Sequence, residues 1–121
     1  MSNTTIAHIA NELHTHAQQG NFEYIKSTYF AQDALSEEPP HATLFATAQG
    51  VANIIAKGHK FNSQVETLHS ITVHTPVIVG KYIFMQVIFD VTLIAIPRLQ
   101  FNEMIQYTIE NEQIVKEAFF Y

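Results

Sequence analysis

The chain of 121 residues has no cysteine, which excludes disulfides and thiolate metal sites. It is also poor in cations: 6 lysines and arginines stand against 11 aspartates and glutamates, for a net charge of -5. Recognition of nucleic acid needs clustered Lys and Arg to neutralise phosphates, and no such cluster occurs, so nucleic-acid partners and anionic membrane surfaces are both disfavoured. No apolar run is long enough to span a bilayer. The longest, Ile83 to Pro97, is interrupted by Gln86, Asp90 and Thr92 and is dense in β-branched residues, which predicts a strand. Met1 to Thr5 carries neither a basic region nor an apolar stretch of the secretory kind, so a soluble, cytoplasmic protein is expected, with no membrane partner.

The usual signatures of cofactor and metal chemistry are missing as well. There is no His-Glu-x-x-His pair, nucleophile elbow, phosphate-binding glycine loop or dinucleotide fingerprint. The 7 histidines do not compensate. His14 and His16 are two apart on a predicted helix and point to different faces, while His8, His41, His59 and His74 are scattered without ligand spacing. The expectation is no metal and no cofactor.

What the chain does have is core material. Hydrophobic residues make up 47% of it and charged residues only 14%, so part of its apolar surface is expected to meet a partner. The length suits one domain, residues 1–121. Ile6, Ile9, Ala10, Leu13 and Ala17 recur at helical spacing, with Thr4 or Thr5 as cap and Gly20 as stop. Phe22, Ile25, Tyr29 and Phe30 form the apolar stripe of a second helix whose exit is marked by Asp33. Ser36 to His41, with two acids and two prolines, reads as loop, and Thr43 to Thr47 as a short strand. Gly50 leads a third helix through Phe61.

Beyond Ser63 the pattern turns to β. Gln64 to Thr75 alternates, with Val65, Thr67, His69, Ile71 and Val73 on one side. Lys81 to Ile96 is apolar at every odd position from Ile83 to Ala95, and its length predicts a bend or bulge. Phe101 to Glu110 and Ile114 to Tyr121 form a closing hairpin about the two-residue turn Asn111-Glu112. Pairing Glu110 with Gln113 places Glu103, Ile105, Tyr107, Ile109, Ile114, Lys116, Ala118 and Phe120 on one face. Glu117, Phe119 and Tyr121 then share the other. Helices first and long antiparallel strands after give an α+β fold with helices on one face of a curved sheet.

Three patches resemble the SnoaL-like proteins of the nuclear transport factor 2-like superfamily. Gly50-Val-Ala-Asn-Ile-Ile-Ala-Lys-Gly58 resembles the family's glycine-led helix, and Leu68-His-Ser-Ile-Thr-Val73 its Val-His-Ser-x-x-Val strand, followed by Phe89-Asp-Val-Thr92. Tyr107-Thr-Ile and Ile114-Val-x-Glu-x-Phe-Phe-Tyr121 resemble its closing hairpin. The family turn usually reads Asp-Gly. Here Glu112 occupies the glycine position, at a cost of about 1 kcal/mol in a left-handed conformation, so another turn type or a longer turn is expected. The resemblance implies a cone-like, strongly bent mixed or antiparallel sheet with three helices over its concave face. It also implies dimers through the outer sheet face and a small-molecule pocket that serves acid/base enzymes and non-catalytic binding modules alike.

For such a pocket the candidate lining residues are Tyr29, Phe30, Ile54 and Phe61 from the helices, with Val87, Phe89 and Ile105 from the strands. Candidate catalytic groups are Glu103, His69 and Tyr107. Glu103 and Tyr107 face the same way about 13 Å apart along one strand, as a base and a polarising donor across a ligand. The competing reading pairs Glu103 with a neighbouring strand or Arg98 and leaves Tyr107 in the core. His69 is either a general base or a satisfied core histidine. Asp90 falls on the outer face, and Glu117 joins the candidates only if the hairpin register flips. Two functions stay open: cofactor-free isomerisation, cyclisation or dehydration of a small apolar molecule, or non-catalytic binding or dimerisation. A homodimer is expected through Tyr82, Phe84, Ile88 and Ile94.

Overall fold

Among the described residues, seven strands form one open, bent sheet in the order β2-β1-β7-β6-β5-β3, with β4 pairing beside β3 on β5. The computed structural model describes residues 3–121, so Met1 and Ser2 of the N-terminal stretch considered above lie outside it. The elements are α1 (Asn3–Gln18), α2 (Phe22–Tyr29), β1 (Phe30–Glu37), β2 (Ala48–Gln49), α3 (Val51–Gln64), β3 (Val65–Val73), β4 (Val77–Val79), β5 (Tyr82–Leu93), β6 (Arg98–Glu110) and β7 (Gln113–Phe120). The sheet is mixed because β1 runs parallel to β7 while the other pairs are antiparallel. Among the described residues no helix is long and apolar enough to cross a membrane.

The stripe Ile6, Ile9, Ala10, Leu13 and Ala17 of α1 is buried in full against the sheet. The helix begins at Asn3, so Thr4 and Thr5 lie in its first turn rather than ahead of it. Gly20, at φ 72°, ends it: the Gly20 N–H donates to Ala17 and the Asn21 N–H to His16, the paired bonds that close a helix on a left-handed residue. Short α2 follows at once and buries Ile25.

Three expectations need correction. Phe30 to Glu37 is a strand, not the tail of a helix and a loop; Asp33 is an exposed residue in its irregular middle, where the register with β7 jumps between Phe30 and Leu35. Thr43 to Thr47 is not a strand, and only Ala48–Gln49 pairs with β1. The irregularity expected in β5 lies in its partner. The register of β5 with β6 is unbroken from Tyr82↔Thr108 to Thr92↔Arg98, whereas β3 carries an extra residue against β5 at Glu66 and again at His69. Two bulges re-phase the strand, so Val65, Leu68, Ile71 and Val73 oppose the inward residues of β5 and Thr67 opposes outward Thr92.

The hairpin carries the most consequential difference. Its turn is the two-residue form after all, with Asn111 at φ 50° and Glu112 at φ 63°. One residue later, Thr108 pairs with Lys116 while Ile109 pairs with Ile114, which leaves Val115 as a bulge. Past that point every β7 side chain changes face: Glu117 lies opposite Tyr107 and Phe119 opposite Ile105, on the inner side, and Lys116, Ala118 and Phe120 turn to the outer side. Glu112 holds a left-handed conformation that glycine adopts without strain. Glu112→Gly is therefore expected to raise unfolding stability by about 0.5–1 kcal/mol, net of glycine's larger unfolded entropy, in urea denaturation followed by circular dichroism.

Candidate functional site

The inner face of the bent sheet and the helices α2 and α3 enclose a cavity of about 380 Å³, within the span of about 300–1,000 Å³ common for small-molecule sites. Its walls are aromatic. Phe22, Phe45, Phe61, Phe89, Phe101 and Phe119 all border it, and Phe61 meets both Phe45 and Phe89 in tilted and edge-on contacts. Leu68, half exposed between the two bulges of β3, borders it as well.

Charged and hydroxylic groups gather at one end of this apolar space. Glu103 comes from β6 opposite Val87, Tyr107 from four residues further along the same strand, and Glu117 from β7 beside Tyr107. All three are buried, at 7%, 2% and 4% exposure. Glu38 follows β1, and Lys26 and Lys57 reach in from α2 and α3. Lys57 Nζ binds Glu38 Oε2 at 2.5 Å and Ser36 Oγ at 3.0 Å and lies 5.0 Å from the Phe119 ring. Ser36 Oγ donates to Glu117 Oε2 at 2.7 Å, and the Tyr121 hydroxyl donates to Glu38 Oε1 at 2.7 Å. The chain Glu117–Ser36–Lys57–Glu38–Tyr121 is thus closed by direct hydrogen bonds.

Glu103 and Tyr107 stand apart from that chain. No hydrogen bond or ion pair within the described residues reaches the Glu103 carboxyl or the Tyr107 hydroxyl, and both residues border the cavity. Burial, then the neighbouring Glu38 and Glu117 carboxylates, pushes the Glu103 carboxyl up to about 8, against which Lys57 and Lys26 pull only in part. Burial likewise raises the Glu117 carboxyl, opposed by Lys26 and the Ser36 hydrogen bond, and holds the Tyr107 phenol well above its ordinary value. The site therefore offers a protonated carboxyl and a neutral phenol, both donors without an internal acceptor, facing an aromatic chamber.

Of the residues singled out from sequence, Glu103, Tyr107, Ile54, Phe61, Phe89 and Ile105 border this cavity. His69 does not. As the second bulged residue of β3 it is turned outward, exposed, with Nε2 2.8 Å from Thr92 Oγ1, so the three catalytic candidates do not converge. Phe30 and Val87 pack in the core beneath, and Tyr29 faces α1, where its hydroxyl donates to Glu12 at 2.9 Å. Arg98 does not pair with Glu103; it forks onto Asp90 at 2.9 and 3.0 Å on the outer face, which lowers that carboxyl's pKa. Lys26, Lys57 and Glu38 were not anticipated: a lysine in a helix and an acid before two prolines look like solvated surface until β1 is paired with β7. Among the described residues no group of His, Asp or Glu is placed to hold a metal.

A search of curated proteins finds no match to this chain. Among solved structures, a Mesorhizobium loti protein provisionally classed as a SnoaL-like polyketide cyclase is 28% identical over 100% of both chains, with a TM-score of 0.88. A second protein so classed, from Jannaschia sp. CCS1, is 14% identical, with 99% of this chain and 88% of that one aligned and a TM-score of 0.74. A protein with a ketosteroid isomerase-like fold from Catenulispora acidiphila, solved with trimethylamine, is 17% identical over 93% of this chain and 84% of its own at a TM-score of 0.73. At those two identities the likeness is one of fold. The family model for the SnoaL-like domain matches residues 4–121, and with the bent sheet, the three helices and the chamber between them in place, the chain belongs to the SnoaL-like domain family.

Proposed function

We propose that the cavity binds a small, largely apolar carbonyl compound and catalyses cofactor-free proton transfer on it, of the kind that underlies isomerisation, cyclisation and dehydration. The observation that carries this reading is Glu103, a buried carboxyl without a hydrogen-bonding partner among the described residues, its pKa raised by burial to about 8 at the polar end of an aromatic chamber. A catalytic pKa near the working pH leaves one group able to take and return a proton, since about a tenth of Glu103 is ionised at pH 7. Ionised, it removes a proton from carbon next to the carbonyl; protonated, it delivers one back. The Tyr107 phenol, neutral at any ordinary pH, donates to the oxygen on which enolate charge builds. The resemblance to proteins classed as polyketide cyclases agrees with a carbonyl-bearing ligand.

We also propose that the chain forms a homodimer through the outer sheet face. Tyr82, Phe84 and Ile88 lie half exposed there in line with exposed Met104 and Phe120, and Ile94 is 70% exposed at the end of β5. An apolar patch of this kind on an antiparallel face suits an isologous contact. Sedimentation at micromolar concentration is expected to give a dimer, and Phe84→Glu a monomer; a monomeric wild type removes the proposal.

The proton-transfer reading is tested with α-tetralone in D2O, following loss of its α-proton signal by NMR. The wild type is expected to exchange it at least tenfold faster than buffer, and Glu103→Gln to lose about 10²-fold of that rate. Binding without exchange in the wild type supports instead a non-catalytic ligand-binding module. The raised pKa also has a thermodynamic signature. The folded state holds a Glu103 proton that the unfolded state, at an ordinary value of 4.5, has released, so stability is full below about pH 4.5 and falls as pH rises towards 8. Glu103→Gln is expected to stabilise the protein more at pH 8 than at pH 5 in paired urea melts.

A further inference from the structure

We propose that Lys26 is an amine nucleophile that forms an imine with an aldehyde or ketone held in the cavity. This goes beyond proton transfer and rests on the same reading of the cavity as a carbonyl-binding site. Lys26 borders the chamber from α2, half buried, and no hydrogen bond or ion pair reaches its Nζ within the described residues. Lys57, the other lysine of the site, is taken up by Glu38 and Ser36. Lys26 is therefore the amine left free to react.

A second feature accommodates it. Gly58 of α3 faces the end of the Lys26 side chain so closely that a β-carbon there would stand 3.0 Å from Nζ. A glycine inside a helix costs up to about 1 kcal/mol relative to alanine, and here the missing side chain leaves the amine uncrowded. Burial, reinforced by the nearby Lys57 charge and opposed by Glu117, Glu23 and Glu103, lowers the Lys26 pKa. Desolvation with a second cation close by is the arrangement that frees a lysine lone pair for attack on carbonyl carbon.

The step balances within the site. The Nζ lone pair attacks the carbonyl carbon, the C=O π pair moves to oxygen, and that oxygen takes a proton from the Glu103 carboxyl to give the carbinolamine hydroxyl. Transfer of a proton from nitrogen back to Glu103 regenerates the acid. Glu103 then protonates the hydroxyl, which leaves as water while nitrogen forms the C=N bond, and the remaining N–H proton returns to Glu103. The net change is amine plus carbonyl to imine plus water, with no oxidant or further reactant.

The test uses 2-naphthaldehyde with sodium cyanoborohydride, which reduces an imine to a stable secondary amine, followed by intact mass and peptide mapping of the wild-type protein. One naphthylmethyl group on Lys26, acquired at least tenfold faster than on Lys60, Lys81 or Lys116, is expected. Labelling that spares Lys26 or is no faster there overturns the proposal. Gly58→Ala, which favours the helix while crowding Nζ, is expected to slow Lys26 labelling at least fivefold and leave the other lysines unchanged; an unchanged Lys26 rate removes its geometric basis. In parallel, 2-naphthol, which has no carbonyl, reports occupancy through its own fluorescence. Naphthol binding without Lys26 labelling defeats the imine and leaves the cavity reading standing, whereas absence of both defeats the two together.

Discussion

Three carboxyl groups buried at one end of an apolar cavity set the terms for the rest of this molecule. Charges taken out of water carry a penalty of several kcal/mol each unless they are paired, hydrogen-bonded or neutralised by a proton. Here all three means are used. Glu38 is paired with Lys57 and bonded by Tyr121, Glu117 is bonded by Ser36, and Glu103 retains its proton. The hydrogen-bonded partners come from β1, α3 and the end of the chain, so placing those elements together is what makes a cluster of acids tolerable. Among the described residues Glu103 is the member left without a partner, and its pKa is raised first by its burial and then by the charges of the other two.

Much of this architecture is visible in the residue pattern. The stripe on α1, the alternation of β5 and the closing hairpin are strong periodic signals because each buries one clean face against the core. Glu103, Tyr107, Phe89 and Ile105 follow from that alternation, and Phe61 from the helical spacing of α3, and all border the cavity. What escaped is governed by departures from period. A single bulge at Val115 moves Glu117 and Phe119 to the inner face, and the bulges at Glu66 and His69 exchange Thr67 for Leu68 and send His69 outward. Nothing in Val115, Glu66 or His69 as residue types marks a bulge; the position is chosen by how the sheet must bend.

The other loss concerns non-local pairing. Phe30 to Glu37 looks like a helix exit and a polar loop because its interior faces are small or polar, Ala31, Ala34 and Ser36, and its strand character depends on a parallel neighbour more than 80 positions away. Without that neighbour, Ser36 has no acceptor and Glu38 no reason to be buried. The lysines of the site are hidden for the same reason, since α2 and α3 face the cavity only once β1 has been threaded between β2 and β7.

The parallel pairing of β1 with β7 also has a temporal meaning. Ser36 and Glu117 are 81 residues apart, and Glu38 and Tyr121 are 83 apart. A ribosome delivers the helices and β1 well before the strand that completes their sheet, and loop closure over such a span is slow relative to local structure. Until β7 emerges, β1 is an open edge and Lys57 has no complete anionic cage around it. The polar end of the cavity therefore cannot be complete before β7 and Tyr121 have been made, and a nascent chain lacks one wall of its aromatic chamber until then.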